Sequence, residues 1–227
     1  MARIATALLT AAINLLFCGL AALARPVEVA GRWVELAPPA GYCELGDHPV
    51  EAGMVAQTRQ AIAGTNLLLL AFGDCRELDE LRQGGRSSLD NYGQVMAPLV
   101  SGQPRVLKGI SRAAYVEAMG KALGGEQMRG AMDKIEERLR QVTPAIQSVE
   151  PLGVVGADAN AVYFGILSTV LDDPRPRRLI VGVAASTLVK EMAISLNLYR
   201  LSLSPADLQM TLARQKVEAE RLIRANE

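Results

Sequence analysis

Between residues 149 and 201 the chain reads VEPLGVVG (149–156), NAVYFGILSTVL (160–171), RLIVGVAAST (178–187) and KEMAISLNLYRL (190–201). Each segment has the length of a strand, and turn residues separate them: Asp158-Ala159-Asn160, then 172–177, then Thr187 to Lys190. Short polar joins turn a chain back on itself, so the pattern predicts an antiparallel four-strand meander. In the last segment Met192, Ile194, Leu196 and Leu198 alternate with Ser195 and Asn197. That period of two places one face of the strand in a core.

After the meander the sequence changes to helical periodicity. Ser204 is placed to cap, Pro205 suits the first helical position, and Asp207 stands where it completes a capping box. Leu208, Leu212, Ala219, Leu222 and Ile223 trace one stripe, and Glu220 and Arg224 are spaced to pair one turn apart.

Ahead of the meander, residues 111–141 read as two helices divided near Gly124-Gly125, the second with Met128, Met132, Ile135 and Leu139 on one stripe. LDNYGQVMAPLV (89–100) reads as a strand with a glycine bulge at Gly93. Leu67–Phe72 is a short apolar run expected to form a central strand covered on both faces. Asp74 and Glu77 sit at capping-box spacing and start a helix over Cys75–Arg82, stopped by Gly84-Gly85. A further helix is expected from His48 or Pro49 to Ala63, capped by Asp47 and ended by Gly64. Its buried face would carry Val50, Met54, Val55, Thr58 and Ile62. Val27–Leu36 reads as one strand, broken by Pro38-Pro39-Ala40-Gly41. No repeat or linker divides the chain, so residues 25–227 are expected to form a single α+β domain: an antiparallel sheet covered by helices and ending in a long helix.

Residues 1–24 are of another kind. Arg3 is followed by uncharged, mostly apolar residues up to the closing Ala22-Leu23-Ala24, the charge, core and small-residue pattern of a secretory signal peptide cut after Ala24. The expected location is the bacterial periplasm. The alternative is a membrane anchor, since residues 4–24 are long enough to span a bilayer if left uncut. A lipid-modified Cys18 fits poorly, because bulky Phe17 precedes it.

Removal of residues 1–24 leaves two cysteines, Cys43 and Cys75, which in an exported chain are expected to form a disulfide. Closing that loop is worth roughly 3–4 kcal/mol in the chain-entropy account. Free buried thiols, or a Cys43 nucleophile served by His48, are the alternatives. No cofactor or metal is expected, because two cysteines and the single histidine lack the close paired spacing of a zinc site.

Composition narrows the function classes. Lys and Arg balance Asp and Glu at 24 each, so no whole-chain charge draws the protein to nucleic acid. Aromatic residues are only 4%, too few for stacking platforms. The glycines of 120–125 lack the spacing of a phosphate loop, and no G-x-S-x-G sequence supplies a nucleophilic serine for Asp47 and His48. The densest cationic cluster is Arg175, Arg177 and Arg178 at the predicted hairpin tip, a candidate contact for an anion or a partner. As a plain hairpin tip it would simply remain solvated.

The order of elements (strand, helix, strand, helices, long meander, final helix) resembles the PsbP-like fold. The GYCEL and LDNYGQ segments are also similar to those of exported bacterial proteins. The resemblance implies a central antiparallel sheet covered by helices, in exported proteins that often serve as accessory or assembly factors. The leading expectation is therefore a non-enzymatic exported protein that binds a protein partner or aids assembly of an envelope complex. A second is a module holding a small apolar or lipid ligand, suggested by the meander and by Met128 and Met132. A third is a hydrolase using Asp47, His48 and a distant serine.

Overall fold

In the computed structural model, residues 24–123, 146–171 and 177–227 are described, together with Glu137 and Gln141. The expected Met128–Leu139 stripe and Arg175 lie outside the described residues. The chain is α+β. Its strands are β1 (Arg25–Val29), β2 (Arg32–Leu36), β3 (Tyr42–Glu44), β4 (Asn66–Asp74), β5 (Asn91–Val100), β6 (Gln103–Pro104), β7 (Ile146–Ala157), β8 (Val162–Val170), β9 (Arg178–Val189) and β10 (Met192–Leu201). The described helices are α1 (Pro49–Ile62), α2 (Cys75–Arg82), α3 (Arg112–Leu123) and α4 (Ala206–Arg224). No described helix is long and apolar enough to cross a membrane.

The main sheet runs β3-β4-β5-β10-β9-β8-β7 and is antiparallel throughout, with β6 attached to β5. The four-strand meander stands as read. β10 then pairs with β5, so the last strand of the meander joins it to the β3-β4-β5 unit. Two-residue turns with both φ values positive close β1 to β2 at Ala30-Gly31 and β9 to β10 at Lys190-Glu191, the twist that tight hairpins need. The second turn uses no glycine. Glu191 holds it by accepting from Arg32 at 2.5 Å and from the Gly109 amide at 3.2 Å.

Two layers cover the sheet. Over one face lie α4 and the β1–β2 hairpin, where Val29, Val34, Leu36, Phe72, Ile194, Leu198, Leu222 and Ile223 share the largest core cluster. Over the other face, Leu78 and Leu81 of α2 pack with Leu89 and Met54 of α1, and Tyr115 of α3 packs on Leu188.

Several expectations are corrected. The Val27–Leu36 strand is a hairpin of two strands forming its own small sheet. Leu67–Phe72 lies within β4, next to the sheet edge rather than at its centre, and Leu67 is 41% exposed. The β4–β5 irregularity falls between Leu68 and Leu70, not at Gly93, which stays in register with Phe72 and Leu198. His48, not Asp47, occupies the N-cap of α1, and no side chain caps it. Val50 of α1 is exposed and the buried residue of that helix is Glu51. At α4 the box is half made: Asp207 accepts the Ser204 amide at 2.7 Å, while the Ser204 hydroxyl donates to Asp207 instead of capping.

Candidate functional site

The richest polar arrangement lies at the sheet end where β5 and β9 begin and β10 finishes. The backbone knits it: the Leu201 amide donates to the Asp90 carbonyl at 2.8 Å and the Ser202 amide to the Leu179 carbonyl at 2.7 Å. A cleft of about 330 Å³ opens there, lined by Asp74, Arg76, Glu77, Glu80, Arg86, Asp90 and Asn91.

Helix α2 sets its geometry. Asp74 caps the helix as expected, accepting the Arg76 amide at 3.0 Å and the Glu77 amide at 3.2 Å. The other half of the box is missing, because Glu77 turns away to the start of β5. It accepts the amides of Asp90 (2.7 Å) and Asn91 (3.1 Å) and the Asn91 side chain (2.6 Å). Arg86 then bridges Glu77 at 3.2 Å and Asp90 at 2.7 Å, and Arg178 from β9 binds Asp90 and, at 2.9 Å, the Ser88 hydroxyl. The Arg86 and Arg178 side chains are only 10% and 11% exposed. Half-buried charges at this spacing support one another only when each is paired and hydrogen-bonded, as Glu77 and Asp90 are here. The Arg86 Nε–H is buried without an acceptor among the described residues.

Next to this network the rings of Tyr92 and Tyr199 stack with centroids 4.8 Å apart. Burial pushes both phenols up, and for Tyr92 the neighbouring Tyr199 adds to the effect. Both therefore stay protonated across the physiological range.

Behind the cleft, two links hold α2 to its neighbours. Cys43 and Cys75 form the expected disulfide, with Cα atoms 5.0 Å apart, joining the short edge strand β3 to the first turn of α2. Glu51 of α1, with no exposed surface, accepts the Gly46 amide at 2.6 Å and Arg82 Nε at 2.5 Å. Burial alone would raise its carboxyl. The Arg82 hydrogen bond and charge and the Gly46 amide outweigh that and hold it below the usual range.

The sequence-predicted site residues separate here. Arg178 is an internal strut of the network, whereas Arg177 is exposed and donates to Thr169 at 3.2 Å. Cys43 and Cys75 come together. His48 stands exposed ahead of α1, and among the described residues no hydrogen bond reaches its imidazole. Sequence reasoning assigns no role to Glu51, Arg86 or Asp90, and to Glu77 only that of the capping-box partner of Asp74. The signal for Arg86 and Asp90 is density: DCRELDELRQGGRSSLDN packs five acids and three arginines into residues 74–91, whereas Glu51 lies outside that stretch.

Around the network the surface becomes apolar. Leu171, Leu179 and Leu203 are 44%, 37% and 84% exposed. Arg177 stands among them, and Arg200 reaches Asp207 at 3.4 Å. Glu77 and Asp90 are committed to holding structure, so neither is poised as a general base. No protein-family model and no curated protein matches the chain.

Proposed function

We propose that the protein is an exported, non-catalytic accessory factor that binds a partner protein at this end of the sheet. The observation that carries the reading is the exposed leucine trio Leu171, Leu179 and Leu203, set beside arginine on a base stiffened by the Glu77–Arg86–Asp90–Arg178 network. Exposed apolar side chains rimmed by polar and arginine residues mark interaction surfaces. Export is supported by the character of residues 1–24 and by the Cys43–Cys75 bridge, which persists in oxidising compartments such as the bacterial periplasm. The antiparallel sheet between helical layers is in keeping with a PsbP-like relationship at the level of architecture.

The test is site-specific photo-crosslinking in the native host, with the reactive residue at Leu203 and, as control, at exposed Gln57 on α1. A discrete protein adduct from position 203 and none from position 57 supports the reading. A native mass that instead carries a retained small apolar molecule, with no adduct at 203, replaces it with the ligand-binding alternative.

A further inference from the structure

Helix α4 carries a second apolar stripe, on the side turned away from the sheet. Its buried side uses Thr211, Leu212, Gln215, Glu218, Ala219, Leu222 and Ile223. On the opposite side Ala206, Met210, Ala213 and Val217 are all exposed, Met210 by 46% and Val217 by 62%. Their spacing of four, three and four residues is that of a helix–helix seam, and exposed Leu203 lies just ahead of the helix. A solvent-facing helix side is ordinarily polar, so this regular apolar row calls for a cover. Alternation of large Met210 and Val217 with small Ala206 and Ala213 leaves holes into which the side chains of a second helix fit.

The flanks decide what that helix is. Arg214 and Arg221 border the seam on one side, Gln209 and Lys216 on the other, with Arg224 at its end. Glu220 is paired with Arg224, and Glu218 with Arg221 at 3.1 Å, which leaves Arg214 on one border and Lys216 on the other as the charges no acid of the helix matches. The borders are thus cationic. A second copy of α4 would bring like charges together along both edges, which opposes self-pairing. An acidic border on the incoming helix would be attracted along its whole length.

We infer that the exposed face of α4 is a docking groove for an amphipathic helix of a partner protein whose flanking positions are acidic. This inference rests on the partner-binding reading and names the chemistry of the partner.

Two synthetic helical peptides with identical leucine seams test it, one with glutamate and one with lysine at every flanking position, titrated by fluorescence anisotropy against the mature protein. The expected result is at least ten-fold tighter binding of the glutamate peptide, weakening steeply with salt. Val217→Asp, at a position too exposed to disturb the core, lowers that affinity ten-fold or more. Lys216→Glu narrows the difference between the peptides. Equal binding of both peptides, or no effect of Val217→Asp, overturns the inference. So does a dimer in light scattering that Val217→Asp dissociates, which would make the cover a second copy. A partner adduct at Leu203 together with peptides that fail to bind would leave partner binding standing and remove only the helix groove.

Discussion

Gly93 lies directly against the Phe72 ring: a Cβ added to Gly93 would come within 2.5 Å of two ring carbons and closer still to the Asn197 carbonyl oxygen. Phe72 is fully buried and Asn197 belongs to the strand on the other side, so neither neighbour can withdraw. Gly93→Ala is therefore expected to destabilise the fold by about 3 kcal/mol, the upper range for overpacking a core. Gly53, inside α1, has open space where its Cβ would be. Gly53→Ala should stabilise by roughly 0.5–1 kcal/mol. Urea unfolding of the two variants beside the parent would show opposite shifts.

Removal of the Cys43–Cys75 bridge should cost roughly 3–4 kcal/mol, as expected for a separation of 32 residues. The double serine variant would unfold at lower denaturant, with early loss of hydrogen-exchange protection in β3 and the first turn of α2. Equal protection in parent and variant would show that β3 holds without its covalent tie.

Glu51 carries a pH signature. Its folded carboxyl is held below its unfolded value by Arg82 and the Gly46 amide, so its contribution is complete above about pH 4.5 and fades as pH falls through the folded value. Glu51→Gln should lose about 2 kcal/mol at neutral pH, because Arg82 is left half-buried without its anion. The difference between variant and parent should then shrink on acidification. Stability profiles from pH 7 to pH 3 that run parallel would contradict this.

Glu77→Ala removes the acceptor of two backbone amides at the entry to β5 and of one side-chain amide together, leaving the half-buried Asp90 and Asn91 groups unmatched. A loss of about 2–3 kcal/mol is expected. Exchange should quicken over residues 83–91 while α4 stays protected. Arg178→Met, which keeps the length of the side chain, should loosen the same segment less, since Arg86 still holds Asp90 at 2.7 Å.

Much of the fold could be read from periodicity. The meander alternates strictly enough that Leu196 and Leu198 had to face one side, and α2 carried its own stop and start at Asp74 and Gly84-Gly85. What could not be read depends on partners distant in the chain. Glycine in a strand marks either a bulge or a close approach, and Gly93 takes the second role only because Phe72 and Asn197 flank it. The burial of Glu51 requires Arg82, and the inward role of Arg178 requires Asp90 to arrive from beyond β10. Local sequence held the charges but not their pairings. The Val27–Leu36 run was read as continuous because alanine, the first turn residue at Ala30, breaks no strand pattern on its own.

The junction of β5 with β10 has a temporal side. The strands of the first unit, β3 to β5, and those of the meander, β7 to β10, each pair with near neighbours in sequence, while the core cluster that Phe72 and Val95 share with Ile194, Leu198 and Leu222 spans both. The β5–β10 pairing waits for a strand made a hundred residues later, and its loop is costly to close. A chain emerging from its N-terminus can therefore pair β3, β4 and β5 while β5 still presents a bare edge. Until β10 arrives, that edge is the vulnerable surface of the nascent protein, open to wrong strands and to proteases.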